Sequence, residues 1–494
     1  MVFAPRFLDP LRQLVDRLRG SGEPELEREL PYAAMMITLM SASGITPYEG
    51  FKRLRGVESL PSFREEGEIL VREVEVLGRD PLTAMGSRAE LIRSKNYRDF
   101  LEGYISSVKS GGSVVSYLKS KLRSIFEVRI ADATHAIERL ETLVEAYMVM
   151  LIVILCLYIL STVVSSNALS PVGVGIAPLG NLYPLLLVAV PSISLVFMYL
   201  AHKLRQGTLK GLIQLYRGVL IPAAISTALL FSFMLLPQLR FIIGFLGLPL
   251  LVCICLVAIS APPALSYLSI SRKERSAETA LPSFLRDVTE ARKTGLSPEK
   301  SIAHASERRG YGPFSKVLKR VTNQIEWGIS LRRIFKDLRS SIMSWPVNIC
   351  FRVLVETIEI GGGAPETLEL LAEYSEKMRD IEENQRGMLR PYILLPFMWT
   401  ALIALTVTFT LYTITQINLP GAASPFPGMA GQLSLLSAGI IFHCWLSGFF
   451  IGKVSEGTFA AGFKYSSLLA VTAYVSFFIS QRMVEGFFGG LSPP

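Results

Sequence analysis

Histidine, cysteine and clustered carboxylates most often hold metals or carry proton and nucleophile chemistry, and in this chain they are sparse and scattered. The four histidines, His135, His202, His304 and His443, lie too far apart in sequence to read as a ligand set. The five cysteines stand singly or as the pair Cys253 and Cys255, four of them in apolar runs, and give neither a disulfide framework nor zinc spacing. The chain has no Gly-x-x-x-x-Gly-Lys-Ser/Thr phosphate loop, no His-Glu-x-x-His zinc helix and no Gly-x-Ser-x-Gly nucleophile turn. The expectation is a protein that is not an enzyme, with no catalytic residue, cofactor or metal site and no ATPase activity of its own.

Two patterns with mechanical potential remain. Gly111 and Gly112, and Gly361, Gly362 and Gly363, precede long helical stretches. The plain reading is a permissive corner where positive φ is needed, and it is favoured; the sharper reading is a hinge. Glu366, Glu369, Glu373 and Glu376 recur three and four apart beside Lys377 and Arg379, forming an acidic helix face. A solvated face is the favoured reading and a docking surface the sharper one.

The elements that must carry these patterns are helices, many of them in a membrane. The chain has 494 residues, 50% hydrophobic and only 18% charged, with a mean hydropathy of +0.41. A span needs about 20 predominantly apolar residues. Seven stretches qualify: 146–164, 182–200, 219–236, 241–259, 392–414, 433–451 and 465–480, the third and fourth with a re-entrant pair as the alternative. Stretches 165–181 and 415–432 carry no charge, whereas 201–218 carries Lys203, Arg205, Lys210 and Arg217 without an acid, a candidate lipid and topology anchor. The orientation read from this is N-terminus inside, C-terminus outside, in the cytoplasmic membrane.

The net charge of +9 would otherwise suggest nucleic acid. Residues 1–145 hold 21 basic and 22 acidic side chains and residues 271–390 hold 21 and 17, so no nucleic-acid partner is expected. No Asp, Glu, Lys or Arg falls inside any of the seven stretches, which counts against an ion-coupled transporter. His443 does fall inside one, and reads as a packed or hydrogen-bonded histidine before a proton relay.

An internal repeat sets the architecture. At an offset of 251, Leu30-Pro31 matches Leu281-Pro282, Gly44 matches Gly295, Pro47 matches Pro298, Phe100 matches Phe351 and Gly111-Gly112 match Gly362-Gly363. The fold expected is an all-α polytopic membrane protein: an amphipathic segment 1–29 with Phe7, Leu11, Leu14 and Leu18 at helical spacing, a cytoplasmic bundle of about six helices at 30–145, four spans at 146–270, a second such bundle at 271–390 and three spans at 391–494. A single helix of about 50 residues should run from Ser113 through the first span. Its counterpart should run from Ala364 toward Ile414, kinked near Pro391 and Pro396.

The segments TLMSASGITPYEGFKRL and VTEARKTGLSPEKSIAHA, with SGGSVVSYL and GGGAPETLELLAEY before the two membrane-entering helices, resemble the type II secretion F-domain family, and the double module resembles its archaeal platforms for type IV pili and the archaellum. The resemblance implies a platform that takes force from a hexameric secretion ATPase and moves pilin-like subunits from the bilayer into a filament. In that reading the acidic face is where the ATPase docks. Membrane lipid and further copies of the chain are expected partners, a dimer being favoured. The alternatives are a permease or lipid-linked substrate transporter and, third, a membrane sensor.

Overall fold

The computed structural model describes residues 23–165, 182–204, 222, 224–225, 247–361, 365–416 and 429–489. The amphipathic stripe from Phe7 to Leu18, nearly all of stretch 219–236, and Arg205, Lys210, Arg217, Gly362 and Gly363 lie outside them. Among the described residues every regular element is helical.

The first repeat opens with α1 (Glu23–Ala42), which turns at Gly44 into α2 (Pro47–Leu54). Proline at the first helical position wastes no N–H, and Thr46 before it accepts from the Glu49 N–H at 3.4 Å, so the helix starts where the sequence dictates. Then come α3 (Pro61–Val71), extended by one wider π turn (Arg72–Val76), α4 (Pro81–Leu91) and α5 (Lys95–Lys109). Asp80 caps α4 through the Leu82 and Thr83 N–H groups at 3.0 and 3.2 Å. The sixth helix, α6 (Val114–Ser165), is 52 residues long, as the uninterrupted apolar stripe required.

After α7 (Leu182–Leu204), the second repeat begins late in α8 (Leu248–Lys293) and continues through α9 (Pro298–Glu307), α10 (Ser315–Glu326), α11 (Leu331–Ser341), α12 (Trp345–Gly361) and α13 (Pro365–Leu389). Six helices per repeat is the number expected. The chain ends with α14 (Pro391–Gln416), α15 (Met429–Glu456) and α16 (Phe459–Gly489). The kink expected near Pro391 falls at Arg390, a single non-helical residue within the stretch Pro365–Thr410, because Pro391 offers no N–H and biases the residue before it away from helical geometry. Pro396 stays inside α14, with Thr400 Oγ1 donating to its carbonyl at 2.7 Å.

The repeat is real in three dimensions, but its register slips. Through the first three helices the offset is 251: Thr46 and Ser297 both cap, Gly44 and Gly295 sit at φ of 87° and 90°, Thr38 and Thr289 both donate to the carbonyl four residues back, and Phe63 and Phe314 are both buried. Beyond the π turn it is 250. Buried Tyr97, Phe100, Leu101 and Tyr104 answer to Val347, Cys350, Phe351 and Leu354, and the cap Ser94, held by Glu27 at 3.0 Å, answers to Ser344, held by Glu278 at 2.8 Å. A π turn is how a helix absorbs one inserted residue without rotating the rest of the chain. The pairing of Phe100 with Phe351 is therefore corrected: Leu101 is the counterpart of Phe351.

The described chain divides into two compact units. One holds both repeats, up to Ala133 together with Lys273–Glu382, around one continuous apolar core. Tyr32 meets Trp345 edge-on at 4.5 Å and Phe126 stacks on Tyr374 at 4.7 Å, so the two bundles share their interior. The other unit comprises Thr134–Arg272 and the chain from Glu383 onward. Among the described residues five helical stretches are long and apolar enough to cross a membrane, Val114–Leu160, Leu248–Lys293, Pro365–Thr410, Ser434–Glu456 and Phe459–Val484, and α7 adds a shorter apolar one, Val188–Leu204.

Candidate functional site

Gly111 ends α5 at φ 68°, a left-handed conformation that side chains with a Cβ resist. Its N–H bonds the Val108 carbonyl at 3.1 Å and that of Gly112 bonds Ser107 at 2.9 Å, the paired bonds that close a helix on a glycine. This is a capped corner, and the sequence reading of a permissive turn has its mechanism there. Gly361 is the last residue of α12.

The acidic face lies on α13. Glu366, Glu369 and Glu373 are exposed and Glu376 is half-buried. Cations of the same unit answer most of it: Lys293 reaches Glu369 at 3.5 Å, Lys377 reaches Glu373 at 3.1 Å, and Arg286 and Arg379 both engage Glu376. Lys293 and Arg286 sit on α8, which hydropathy alone could not bring beside α13. Pairs this exposed add little to stability, because water competes for both partners. They do, however, neutralise the field that a docking partner would feel.

The seam between the repeats is the more distinctive surface. Trp345 Nε1 donates to the Ser59 carbonyl at 2.9 Å, with Arg28 over its ring at 5.2 Å, and Arg339 reaches Glu58 at 2.7 Å. The Arg339 hydrogen bond, with Arg64 and Lys336 nearby, holds the Glu58 carboxyl below its usual range. Behind them Glu356, 2% exposed, is shared by Arg352 at 2.6 Å, Arg332 at 3.5 Å and, from the first repeat, Arg53 at 3.6 Å. The sequence reading missed this cluster, since its members come from three helices and carry no spacing in common. Cys350, on the same helix as Glu356, is buried, and burial pushes its thiol up to about 12.

In the other unit, α15 and α16 form a hairpin on small residues. A Cβ at Gly448 would overlap the Ser466 backbone, and one at Gly452 the Gly462 backbone, so the helices touch main chain to main chain. Tyr147 OH sits 2.7 Å from Ser447 Oγ and 3.3 Å from Ser194 Oγ, which in turn is 3.3 Å from His443 Nδ1. His443 is thus a buried, hydrogen-bonded histidine. At the hairpin's closed end Glu456 accepts from Tyr267 at 2.8 Å, from Tyr465 at 3.0 Å and from Lys464, while Lys453 donates to the Gly457 carbonyl at 2.7 Å. These charges lie just outside the apolar stretches read from sequence, and α15 and α16 extend to include them. Lys203, of the proposed anchor, is exposed near the end of α7. Among the described residues no three His, Cys, Asp or Glu side chains gather as metal ligands.

With this geometry in view, the chain resembles an uncharacterized protein of Methanocaldococcus jannaschii, 24% identical over 485 residues covering 92% of this chain and 79% of that one. No solved structure matches it. The type II secretion system protein F family matches residues 33–162 and again 284–411, each region beginning in the first helix of a repeat and ending inside an apolar helix. The match spans more than half the chain and both copies of the duplicated unit, and the chain belongs to the type II secretion system protein F family.

Proposed function

We propose that this protein is the membrane platform of a type IV pilus-like filament or archaellum machine, coupling a cytoplasmic secretion ATPase to the insertion of pilin-like subunits into the filament. The observation that carries the reading is the doubled family match, each copy a six-helix bundle leading into a long apolar helix. In this reading the two-repeat unit lies in the cytoplasm and receives force, and the apolar helices hold the subunits' exit path. A continuous 52-residue helix about 78 Å long, at about 1.5 Å per residue, is a stiff enough link for that task. The protein performs no catalysis itself; the nucleotide is hydrolysed by its partner. Basic Lys203 and its neighbours meet anionic lipid, and the assembly contains two copies.

The test is deletion and complementation in the source organism. Cells lacking the protein should make pilin-like subunits that stay in the membrane and no filament, and the purified full-length chain in nanodiscs should retain the organism's hexameric secretion ATPase. Normal filaments in the deletion strain would end the platform reading.

A further inference from the structure

A cleft of about 360 Å³ opens along the seam, between the 56–59 turn of the first repeat and helices α11 and α12 of the second. Four of its lining residues are cations, Arg332, Lys336, Arg339 and Arg352, and Arg53 closes in behind through Glu356. Against these five stand four carboxylates, Glu58, Glu356, Glu359 and, 4.0 Å from Arg53, Glu49. Glu356 is buried and already divided among three guanidinium groups, and Glu58 is taken by Arg339. Lys336 has no ion pair among the described residues, and buried Nε atoms of Arg53 and Arg352 have no hydrogen-bond partner. Asp337, on the same helix, is engaged by Gln324 at 3.5 Å. The surplus is therefore positive and faces solvent, with the side chains of Arg332 and Arg339 56% and 51% exposed.

The duplication supplies a control within the molecule. At the offset of 250, the positions of Arg332, Lys336, Arg339 and Arg352 are Leu82, Gly86, Ala89 and Glu102 in the first repeat. The shared skeleton forms without these charges in the first repeat, so they belong to the second repeat's own surface and seam, where Arg332 and Arg352 also hold buried Glu356 and Arg339 holds Glu58. Their spacing narrows the ligand. Arg332, Lys336 and Arg339 succeed one another by four and three residues, roughly 6 and 4.5 Å along the helix axis at about 1.5 Å per residue. Alternate residues of an extended peptide lie about 6.6 Å apart, so carboxylates on such a segment can meet successive cations, whereas a single phosphate reaches only one or two. Phe335 and Phe351 in the cleft wall give the segment an apolar floor.

We propose that the seam cleft binds an extended acidic peptide segment of a partner protein, its carboxylates paired with Lys336 and the open edges of Arg332, Arg339 and Arg352. The proposal goes beyond the platform reading and stands whichever partner brings the segment.

The experiment uses the full-length chain in nanodiscs and a fluorescein-labelled peptide of alternating Glu and Ser, read by anisotropy. Binding should weaken steeply as salt rises from about 0.05 to about 0.3 M, because the Debye length falls below the charge spacing. Lys336→Glu with Arg339→Glu should raise Kd about tenfold or more, as expected when two partner charges become repulsive. Lys109→Glu with Lys119→Glu, exposed in the first repeat and equal in net charge change, should shift it less than about twofold. The reversed cleft should in turn bind the matching Lys and Ser peptide more tightly than the unaltered protein does, which a merely misfolded variant would not. No binding of the acidic peptide, an equal loss in the control pair, or displacement by tripolyphosphate at lower concentration than by unlabelled peptide would each overturn the proposal.

Discussion

The two repeats share a skeleton and differ in the charge carried by their fourth helices. Each begins with an apolar helix, turns at a left-handed glycine into a proline-started helix, and pins its fifth helix with a carboxylate on the capping serine, Glu27 on Ser94 and Glu278 on Ser344. Yet α4 of the first offers Leu82, Gly86 and Ala89 where α11 of the second offers Arg332, Lys336 and Arg339. What duplication preserved is the set of groups whose loss would leave buried polar atoms unpaired or the core empty; what it released is the charge along the fourth helix, where the first repeat buries Ala89 and the second exposes Arg339. In the second repeat these charges line the cleft where the two copies meet.

The strongest way to break this comparison is through the equivalent aromatics. Phe63 and Phe314 are both buried, one against Tyr97 at 5.0 Å between ring centres and the other against Phe284 and Phe351 at 6.4 and 6.2 Å. Phe63→Ala and Phe314→Ala should each cost about 3–5 kcal/mol, the range for emptying a buried phenylalanine site. Because one core runs through both repeats, urea unfolding monitored by hydrogen exchange should show amides of both bundles losing protection together in either variant. Independent loss in the altered repeat alone would mean that the bundles are separate domains after all.

Much of this fold could be read from residue types. The corners at Pro47 and Pro298, the six helices per repeat and the uninterrupted α6 come from caps, prolines and three-and-four apolar spacing, which are local. The shared core could not be read, because it depends on Trp345 finding Ser59 across 286 residues, a pairing with no signature in either segment. Nor could the pairing of the acidic face: Glu369 and Glu376 look free on their own helix, and only the approach of α8 supplies Lys293 and Arg286. The basic cleft stayed hidden for the same reason, being spread over Arg53, α11 and α12. The one-residue slip was invisible because identities such as Phe100 with Phe351 outvoted the burial pattern that corrects them.

That slip gives the second prediction, of intermediate size. The π turn Arg72–Val76 holds one residue more than its counterpart, and Glu75 in it is exposed, paired with Lys52 at 2.6 Å on the surface. Deleting Glu75 should let α3 run on as an ordinary helix in the second repeat's register and barely move the urea midpoint, since an exposed ion pair is nearly all that is lost. Deleting Lys319 from α10, which has no slack, turns Val321 and Thr322 by about 100° away from the core and should cost about 2–4 kcal/mol. Urea midpoints of the two deletions measure the difference directly. Equal losses would show that the π turn is not an inserted residue.

The smallest effects sharpen the comparison most, because they probe the part of the skeleton that is most nearly identical. Thr46 and Ser297 occupy the same place in the two copies, each in extended conformation before a proline, each accepting one N–H three residues on, at 3.4 and 3.3 Å. Replacing either by alanine removes one acceptor from an orphan donor at a helix start and should cost about 1 kcal/mol. Glycine, which lets water reach the same N–H, should cost only a few tenths. The threonine site should be no dearer than the serine site, since both bonds are long and both N–H groups lie at the surface. Thr46→Ala combined with Ser297→Ala should cost the sum of the two, about 2 kcal/mol, if each cap acts only on its own helix. A cost well above the sum would mean that fraying at one corner loosens the other through the common core, and would turn two equivalent corners into one coupled element.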